Sequence, residues 1–310
     1  SGNHRIQPVV YLTRQTHHCV QKALHIAGLG AAIIRYIPTN DHFQMETDRL
    51  AEQLTRDRSE GLLPFLVVGS AGTTDTGAID PLDRIADLAE AQGLWYHIDA
   101  AYGGFFLLVD ELCDRFRGID RSDSLAIDPH KGLFLSYGIG AVLVKDGEAL
   151  FRSHNYLANY MQDSQGEYEE RNPADLSPEL TKHFRGLRMW LPLQLYGVTP
   201  FRAALTEKVL LCRYAYTRLQ ELGFETGPRP ELSILIFRYV PDRGDANAFN
   251  RRLIDFVQND GRVFLSSTTI DGVFWIRLAV LSFRSHRREV EICLEVLKEG
   301  KKEVGREKWQ

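Results

Sequence analysis

The sequence predicts an α/β protein with a mostly parallel sheet, and two observations lead to this fold class. Short runs of β-branched and aromatic residues alternate with amphipathic helical stretches along the first half of the chain. These runs are apolar throughout, which is typical of strands that helices cover on both faces of a sheet. The chain has 310 residues, 44% of them hydrophobic and 25% charged, so it is long enough to bury a substantial core.

Each element of this part is predicted from its local pattern. Runs of β-branched and aromatic residues predict strands, and apolar residues three and four positions apart predict helices. The stretch 80–93 has the clearest helix signals, namely an aspartate and a proline at its start and a glycine at its end. The predicted strands are 9–13, 31–37, 65–70, 94–102, 124–128 and 138–146, and the predicted helices are 17–28, 45–57 and 80–93.

The pattern changes after about residue 150. Residues 152–177 are polar with almost no aliphatic periodicity, which predicts a long loop that is either functional or disordered. Beyond this loop we expect helices at 178–196, 199–222, 245–259 and 286–299, and strands at 232–240, 262–268 and 273–281. We therefore predict two domains, a large one over residues 1–195 and a small C-terminal α+β domain over residues 196–310.

Composition disfavours several classes of function. The net charge of −4 provides no basic surface for nucleic acid. No apolar run approaches the roughly 20 residues that span a bilayer, and the N-terminus lacks the apolar core of a signal peptide. The four cysteines are scattered, which favours free thiols, and the histidines show no metal-ligand spacing. We expect a cytoplasmic protein without a membrane, nucleic-acid or metal partner.

Polar, turn-prone sequences follow three of the predicted strands, at 70–77, 97–104 and 128–132. Open α/β sheets bind ligands at the carboxyl ends of their strands, where Asp99 and Lys131 are expected to be neighbours. Pyridoxal phosphate (PLP) needs a lysine for its Schiff base and an acid that keeps its pyridine nitrogen protonated. Taken singly, a strand-end aspartate is more often a turn residue, and a lysine more often solvated. A phosphate-binding or nicotinamide enzyme stays open, although neither GxGxxG nor GxxxxGK[ST] occurs.

Four motifs in order carry a resemblance to a known family: YLTRQTHHCVQKA, SAGTTDTG, HIDAAYGG and DPHKG. Together with the downstream segment HFRGLRMWLPLQLYGV, they resemble the PLP-dependent group II amino-acid decarboxylases, above all the aromatic-amino-acid and histidine members. The resemblance implies the type I fold of PLP enzymes, PLP as cofactor and a homodimer. Relative to that family the N-terminal part is missing, including a helical dimerisation segment and a phosphate-binding loop.

The resemblance also implies roles for the residues around the cofactor ring. Lys131 would form the Schiff base, and Asp99 would hold the protonated pyridine nitrogen. Ala101 would pack against one face of the ring. His17, favoured over His18, would stack on the other face.

Further positions follow from the same resemblance. Thr73, favoured over Thr74, would lie beside the cofactor. His130 would neighbour the Schiff base, although a histidine bonded to the backbone is an equally good reading. Asp128 replaces the asparagine that close relatives have near the phosphate, and a carboxylate there would repel the phosphate unless it is turned away or paired with a base.

The polar loop and the small domain supply the last candidates. Tyr156, favoured over Tyr160, matches the family tyrosine that returns a proton to the substrate, and a tyrosine there favours simple decarboxylation over aldehyde formation. Arg277 is a candidate for binding the substrate carboxylate or anchoring the loop, and a structural ion pair is the alternative. Thr181 lies where relatives set the size of the substrate pocket.

The sequence therefore predicts a PLP-dependent carboxy-lyase that converts an L-amino acid, aromatic or otherwise neutral, into the amine and CO2. The first alternative is another reaction on the same fold, either aldehyde synthesis or carbon–carbon lysis. The second is a non-catalytic fragment or pseudoenzyme that binds a partner.

Overall fold

The computed structural model describes residues 7–155 and 172–306, and it places a six-stranded sheet in the first of these ranges. The strands are β1 (Pro8–Leu12), β2 (Ile33–Tyr36), β3 (Leu63–Ser70), β4 (Trp95–Asp99), β5 (Ser124–Ile127) and β6 (Ala141–Val144). Their order in the sheet is β2-β1-β3-β4-β5-β6, and every pair is parallel except β5 with β6. The predicted α/β class with a mostly parallel sheet is confirmed.

Helices connect the parallel strands, as the alternating pattern predicts. They are α1 (Cys19–Ile26), α2 (Thr47–Ser59), α3 (Leu82–Gln92) and the single turn α4 (Pro129–Gly132). Short 3₁₀ turns fill the connection from β4 to β5 between residues 104 and 121. Because β1, β3, β4 and β5 run in the same direction, the segments that follow them meet at one edge of the sheet.

The second half of the described chain folds around a four-stranded antiparallel sheet. Its strands are β7 (Glu225–Thr226), β8 (Ile234–Arg238), β9 (Ser266–Ile270) and β10 (Val273–Ala279), in the order β7-β8-β10-β9. The helices of this half are α6 (Leu187–Tyr196), α7 (Thr199–Glu221), α8 (Ala246–Asp260) and α9 (Arg287–Arg306). A further helix, α5 (Gly147–His154), lies at the end of the first described range.

The long helix α7 contributes to both hydrophobic cores. Leu205 and Val209, in its first half, are buried with the side chains of the six-stranded sheet. Leu211, Cys212 and Leu219, further along, are buried with those of the four-stranded sheet. The predicted domain division between residues 195 and 196 stays a prediction.

Several elements differ from the expected ones, and three of the differences have a clear physical reason. The predicted helix 178–196 is helical only from Leu187 onward, because Leu180 and Phe184 are 81% and 77% exposed and no packing offsets the helix-weakening Gly186. The last helix continues through Gly300, where a Cβ atom would lie 2.6 Å from Phe256, so this glycine permits close packing of α9 on α8. The unpredicted α5 is capped by Asp146, whose side chain accepts hydrogen bonds from two backbone N–H groups of the first turn.

Within the ranges 7–155 and 172–306, no helix combines the length and the apolar character that crossing a membrane requires. All four cysteines lie in these ranges, and none forms a disulfide there.

A buried carboxylate joins α2 to the sheet. The fully buried side chain of Asp57 accepts a hydrogen bond of 2.8 Å from the Tyr11 hydroxyl and one of 2.7 Å from Nη2 of Arg35. Burial opposes ionisation of Asp57, but the hydrogen bonds from Arg35, Tyr11 and Gln53 prevail and lower its pKa.

We expect Asp57→Ala to lower the free energy of unfolding by about 3–5 kcal/mol, because it leaves the Arg35 guanidinium and the buried Tyr11 hydroxyl without their partner. The pKa of Asp57 is lower in the folded chain than the ordinary 3.8, so its stabilisation is present above that pH and is lost as the pH falls through the folded value. Urea unfolding of both proteins measures the difference. Asp48→Ala, at an exposed position of the same helix, should cost less than about 1 kcal/mol, and an equal loss in both variants would contradict this prediction.

Candidate functional site

The segments that follow β1, β3, β4 and β5 enclose a cavity of about 310 Å³ at the carboxyl edge of the six-stranded sheet. Nearly all of β1 and the second half of β3 are buried on both faces, so polar side chains gather where these central strands end. Six of the residues favoured from the sequence line this cavity: His17, Thr73, Asp99, Ala101, Asp128 and Lys131.

Lys131 forms an ion pair inside this group. Its Nζ atom lies 2.9 Å from Oδ2 of Asp128, one turn earlier at the start of α4. Pro129 occupies the first position of α4, which fixes the direction in which the turn leaves β5. The Asp128 carboxylate thus accommodates a lysine that follows an apolar strand, and its pairing with a base is one of the two arrangements expected for an acid at this position.

His130 is hydrogen-bonded to the backbone rather than to the Lys131–Asp128 pair. Its Nδ1 atom lies 2.7 Å from the carbonyl oxygen of Ile139, and because a carbonyl only accepts, Nδ1 carries the hydrogen. Nε2 lies 3.8 Å from Oδ2 of Asp128, beyond hydrogen-bond distance. The backbone contact corresponds to the structural alternative for His130, and a chemical role for this residue stays a prediction.

Asp99 ends β4 and is held by the turn that follows. Its Oδ1 atom accepts a hydrogen bond of 3.1 Å from the backbone N–H of Ala101. This hydrogen bond fixes the Asp99 carboxylate at the carboxyl end of β4. Asp99 and Lys131 thus share one cavity although they follow different strands, as the parallel topology predicts.

His17 lies on the cavity wall, whereas His18 is exposed and does not line the cavity. Burial lowers the pKa of His17, and the neighbouring His18 lowers it further. A neutral imidazole presents a flat aromatic face, which suits stacking on a planar ligand. Its Nδ1 atom accepts a hydrogen bond of 3.3 Å from the backbone N–H of Cys19, which orients the ring.

The turn after β3 brings both candidate threonines to the cavity. The side chain of Thr73 is buried and its Oγ1 lies 2.8 Å from Oγ1 of Thr76, while Thr74 is exposed but also lines the cavity. Gly72 precedes them at a φ of +98°, where a Cβ atom would also lie 2.9 Å from the Cα atom of Gly103. Only a glycine satisfies both requirements without strain.

The buried carboxylate of Asp80 stabilises the turn after β3 by hydrogen bonds to the backbone. Its carboxylate accepts backbone hydrogen bonds of 2.8 Å from Ser70 and 2.7 Å from Met45. Burial raises the pKa of Asp80 to about 6, and the two N–H donors oppose that rise only in part.

This raised pKa predicts an unusual pH dependence of stability. In the folded chain Asp80 has a pKa of about 6 against an ordinary 3.8. Its contribution to the free energy of unfolding is therefore complete below pH 3.8 and is lost as the pH rises through about 6. We expect the stability advantage of the unaltered chain over Asp80→Asn to shrink by about 3 kcal/mol between roughly pH 4 and pH 7. Urea unfolding over this range measures the difference, and Asp87→Asn on the exposed face of α3 provides a control without such a trend. A constant difference for Asp80→Asn would refute the assignment.

The remaining candidates lie elsewhere. Arg277 on β10 donates from Nε to the carbonyl oxygen of Thr74 at 2.8 Å and from Nη1 to Ser266 at 3.1 Å, so it ties the second sheet to the turn after β3. Burial lowers its pKa. Thr181 is exposed and is not among the residues that line the cavity. Tyr156 and Tyr160 lie outside the described residues.

Sequence reasoning missed Gln15 and His97, which also line the cavity. Gln15 belongs at the same time to a neighbouring cavity of about 410 Å³. That cavity is larger, but it contains neither Lys131 nor Asp99, so the smaller one is the better candidate for chemistry. Strand alternation could have identified His97, because residues two apart on β4 share a face with Asp99.

Comparison with known proteins gives matches over most of the chain. Residues 3–240 match the family described as the pyridoxal-dependent decarboxylase conserved domain. Over 288 residues the chain is 33% identical to an aromatic-L-amino-acid decarboxylase of Bacillus atrophaeus, covering 91% of this chain and 60% of that protein. It is 28% identical to a phenylacetaldehyde synthase of Arabidopsis thaliana, covering 94% of this chain and 61% of that protein.

Among solved structures, the chain is similar to the crystal structure of Oryza sativa TDC with PLP and tryptamine. The TM-score is 0.90 at 29% sequence identity, and the match covers 96% of this chain and 63% of the other. The chain therefore spans about three fifths of the length of these relatives. The type I fold of PLP enzymes, implied by the motifs, is confirmed.

Proposed function

Because the chain belongs to the pyridoxal-dependent decarboxylase family, we propose that it acts within a PLP-dependent carboxy-lyase that converts a neutral L-amino acid, preferably an aromatic one, into the amine and CO2. The observation that carries the proposal is the meeting of Lys131 and Asp99 in one cavity at the carboxyl edge of the sheet. Bound PLP supplies an electron sink for the charge that remains on the substrate when CO2 leaves.

The residues that line the cavity fit this cofactor. The amine of Lys131 is the group that can attach to an aldehyde, and the carboxylate of Asp99 is the group that can hold a protonated ring nitrogen. The neutral His17 and the small Ala101 offer an aromatic and an apolar contact for a planar ring. Thr73 and the Asp128–Lys131 pair complete the polar part of the wall.

The charges of the described cavity support a neutral substrate side chain. Asp99 and Asp128 contribute two negative charges, and Lys131 contributes one positive charge that Asp128 already pairs. No arginine is among the described residues that line it. A second substrate carboxylate would find no free cation on this part of the wall, so glutamate and aspartate are disfavoured.

Aldehyde synthesis is the second candidate function. The similarity to a phenylacetaldehyde synthase, at 28% identity over 298 residues, keeps it open. Tyr156, our candidate for returning a proton to the substrate, favours the simple decarboxylase, because protonation ends the reaction at the amine.

We further propose that the protein is a cytoplasmic homodimer. Helix α6 buries none of its residues, and it exposes 57% of Trp190 and 67% each of Leu195 and Tyr196. An apolar helix surface of this kind supports contact with a second copy. Sedimentation equilibrium should give twice the mass of one chain, and a single-chain mass at all concentrations would contradict the dimer.

The enzymatic proposal is tested by product analysis. The protein is incubated with PLP and single L-amino acids, and amine, CO2 and aldehyde are quantified by mass spectrometry. We expect amine and CO2 in equal amounts from tryptophan, tyrosine or phenylalanine, none with glutamate, and none from a Lys131→Ala control. Aldehyde in place of amine would establish the second candidate, and no turnover of any amino acid would reject both.

A further inference from the structure

A hydrogen-bonded chain of side chains lies under the wall of the cavity. Trp95, His97 and Asp99 alternate along β4 and therefore share one face of the sheet. Ser124 on β5 is the register partner of His97. Its Oγ atom lies 2.8 Å from Nε1 of Trp95 and 2.8 Å from Nδ1 of His97.

The direction of the hydrogen bonds follows from the chemistry of the groups. An indole N–H can only donate, so Ser124 accepts from Trp95. The hydroxyl hydrogen of Ser124 then has His97 Nδ1 as its acceptor, since the described residues place no other hydrogen-bond partner on this Oγ atom. All three groups are satisfied when Nδ1 is the bare nitrogen and the neutral ring carries its hydrogen on Nε2.

Several ionisable groups share the cavity with His97. Asp99 is on the same strand, His17 and Cys19 come from the segment at the start of α1, and Asp128 and Lys131 come from the segment after β5. Burial lowers the pKa of His97, and the nearby charge of Asp99 raises it in part. The ring therefore stays neutral although a carboxylate lies two residues away.

We propose that His97 is a positioning residue for Asp99: Ser124 holds it neutral with hydrogen on Nε2, which leaves the charge of Asp99 free for a cationic ring nitrogen. The proposal rests on the proposed function, because the cationic ring is that of PLP. An imidazolium at residue 97 would attract the same carboxylate and compete with the ring nitrogen. A hydrogen bond to the bare nitrogen disfavours that imidazolium.

Ser124→Ala tests this arrangement, because Ser124 does not line the cavity and can act on a ligand only through its neighbours. The first measurement is nitrogen-15 NMR of the histidine rings in the protein without cofactor, with His97→Gln assigning the signal. We expect the Nε2–H form in the unaltered protein and a higher pKa of residue 97 in Ser124→Ala. A ring that carries its hydrogen on Nδ1 in the unaltered protein would overturn the proposal.

The second measurement is the affinity for PLP, from the change in protein fluorescence at about pH 6 and about pH 8. We expect Ser124→Ala to bind roughly three- to tenfold more weakly at the lower pH and nearly normally at the higher one. Ser122→Ala is the matched control, because its hydroxyl is equally buried but bonds the carbonyl of Ile119. A merely structural role for Ser124 would weaken binding equally at both pH values and would reject the inference.

The two measurements distinguish failure of the role proposed for His97 from failure of the proposed function. Normal PLP binding with an unchanged pH profile in Ser124→Ala overturns the role of His97 and leaves the proposed function intact. No binding of PLP to the unaltered protein contradicts both.

Discussion

Lys131→Ala is expected to abolish covalent capture of PLP completely. Among the described residues that line the cavity, Lys131 is the only one with a primary amine, so no neighbour can take its place. The effect is all or none, because the bond to the aldehyde forms through Nζ itself. Visible absorbance of the protein with PLP, followed by borohydride reduction and peptide mass spectrometry, measures the loss and locates the modified residue.

Lys145→Ala is the matched control for this experiment. Lys145 is exposed and follows β6, which runs antiparallel to its neighbour and therefore places this lysine at the opposite edge of the sheet. The control should keep the absorbance band and the modified Lys131 peptide. A stable reduced adduct in Lys131→Ala at any one other lysine would place the cofactor elsewhere and refute the assignment.

Asp128 makes the lysine substitution more informative. In Lys131→Ala this carboxylate loses its partner at 2.9 Å. A carboxylate left without its cation should repel the phosphate of PLP more strongly. We therefore expect the double variant Lys131→Ala with Asp128→Asn to recover part of the noncovalent affinity for PLP.

The sequence predicts the six-stranded sheet well because each strand carries its own signal. An apolar run such as 65–70 predicts burial on both faces, which holds for Val67 and Val68 although Phe65 is exposed, and helices between such runs impose parallel connections. Ends of elements are harder, since they depend on tertiary contacts. Gly300 is an example: a glycine usually ends a helix, but here it lies inside α9 and packs against Leu253 and Phe256.

The same distinction applies to the site. Asp99 ends β4, and His17, Thr73 and Lys131 lie three to five residues beyond the ends of β1, β3 and β5, so the topology of the sheet brings them together. Side-chain pairings across that edge are not encoded locally. The bond from His130 to the Ile139 carbonyl, nine residues along the chain, and the bond from Arg277 to the Thr74 carbonyl, 203 residues away, depend on how the segments pack, and no pattern in the sequence specifies them.

Asp99, at the end of β4, both accepts a hydrogen bond in the following turn and carries a negative charge. Asp99→Asn tests the role of the charge alone. Asparagine keeps an oxygen that can accept the hydrogen bond from the Ala101 N–H, so the turn after β4 should stay intact. What it removes is the negative charge, and with it the support for a protonated ring nitrogen.

We therefore expect Asp99→Asn to capture PLP at Lys131 but to decarboxylate about 10² to 10³ times more slowly, the usual range for losing one group that stabilises the charge of the transition state. The measurement is kcat for amine release at saturating PLP, combined with the borohydride test for the adduct. Asp75→Asn removes the same charge from the neighbouring cavity and should leave kcat within about twofold. If Asp99→Asn instead loses only PLP affinity while kcat is unchanged, Asp99 binds the cofactor without activating it, and the electron sink depends on another group.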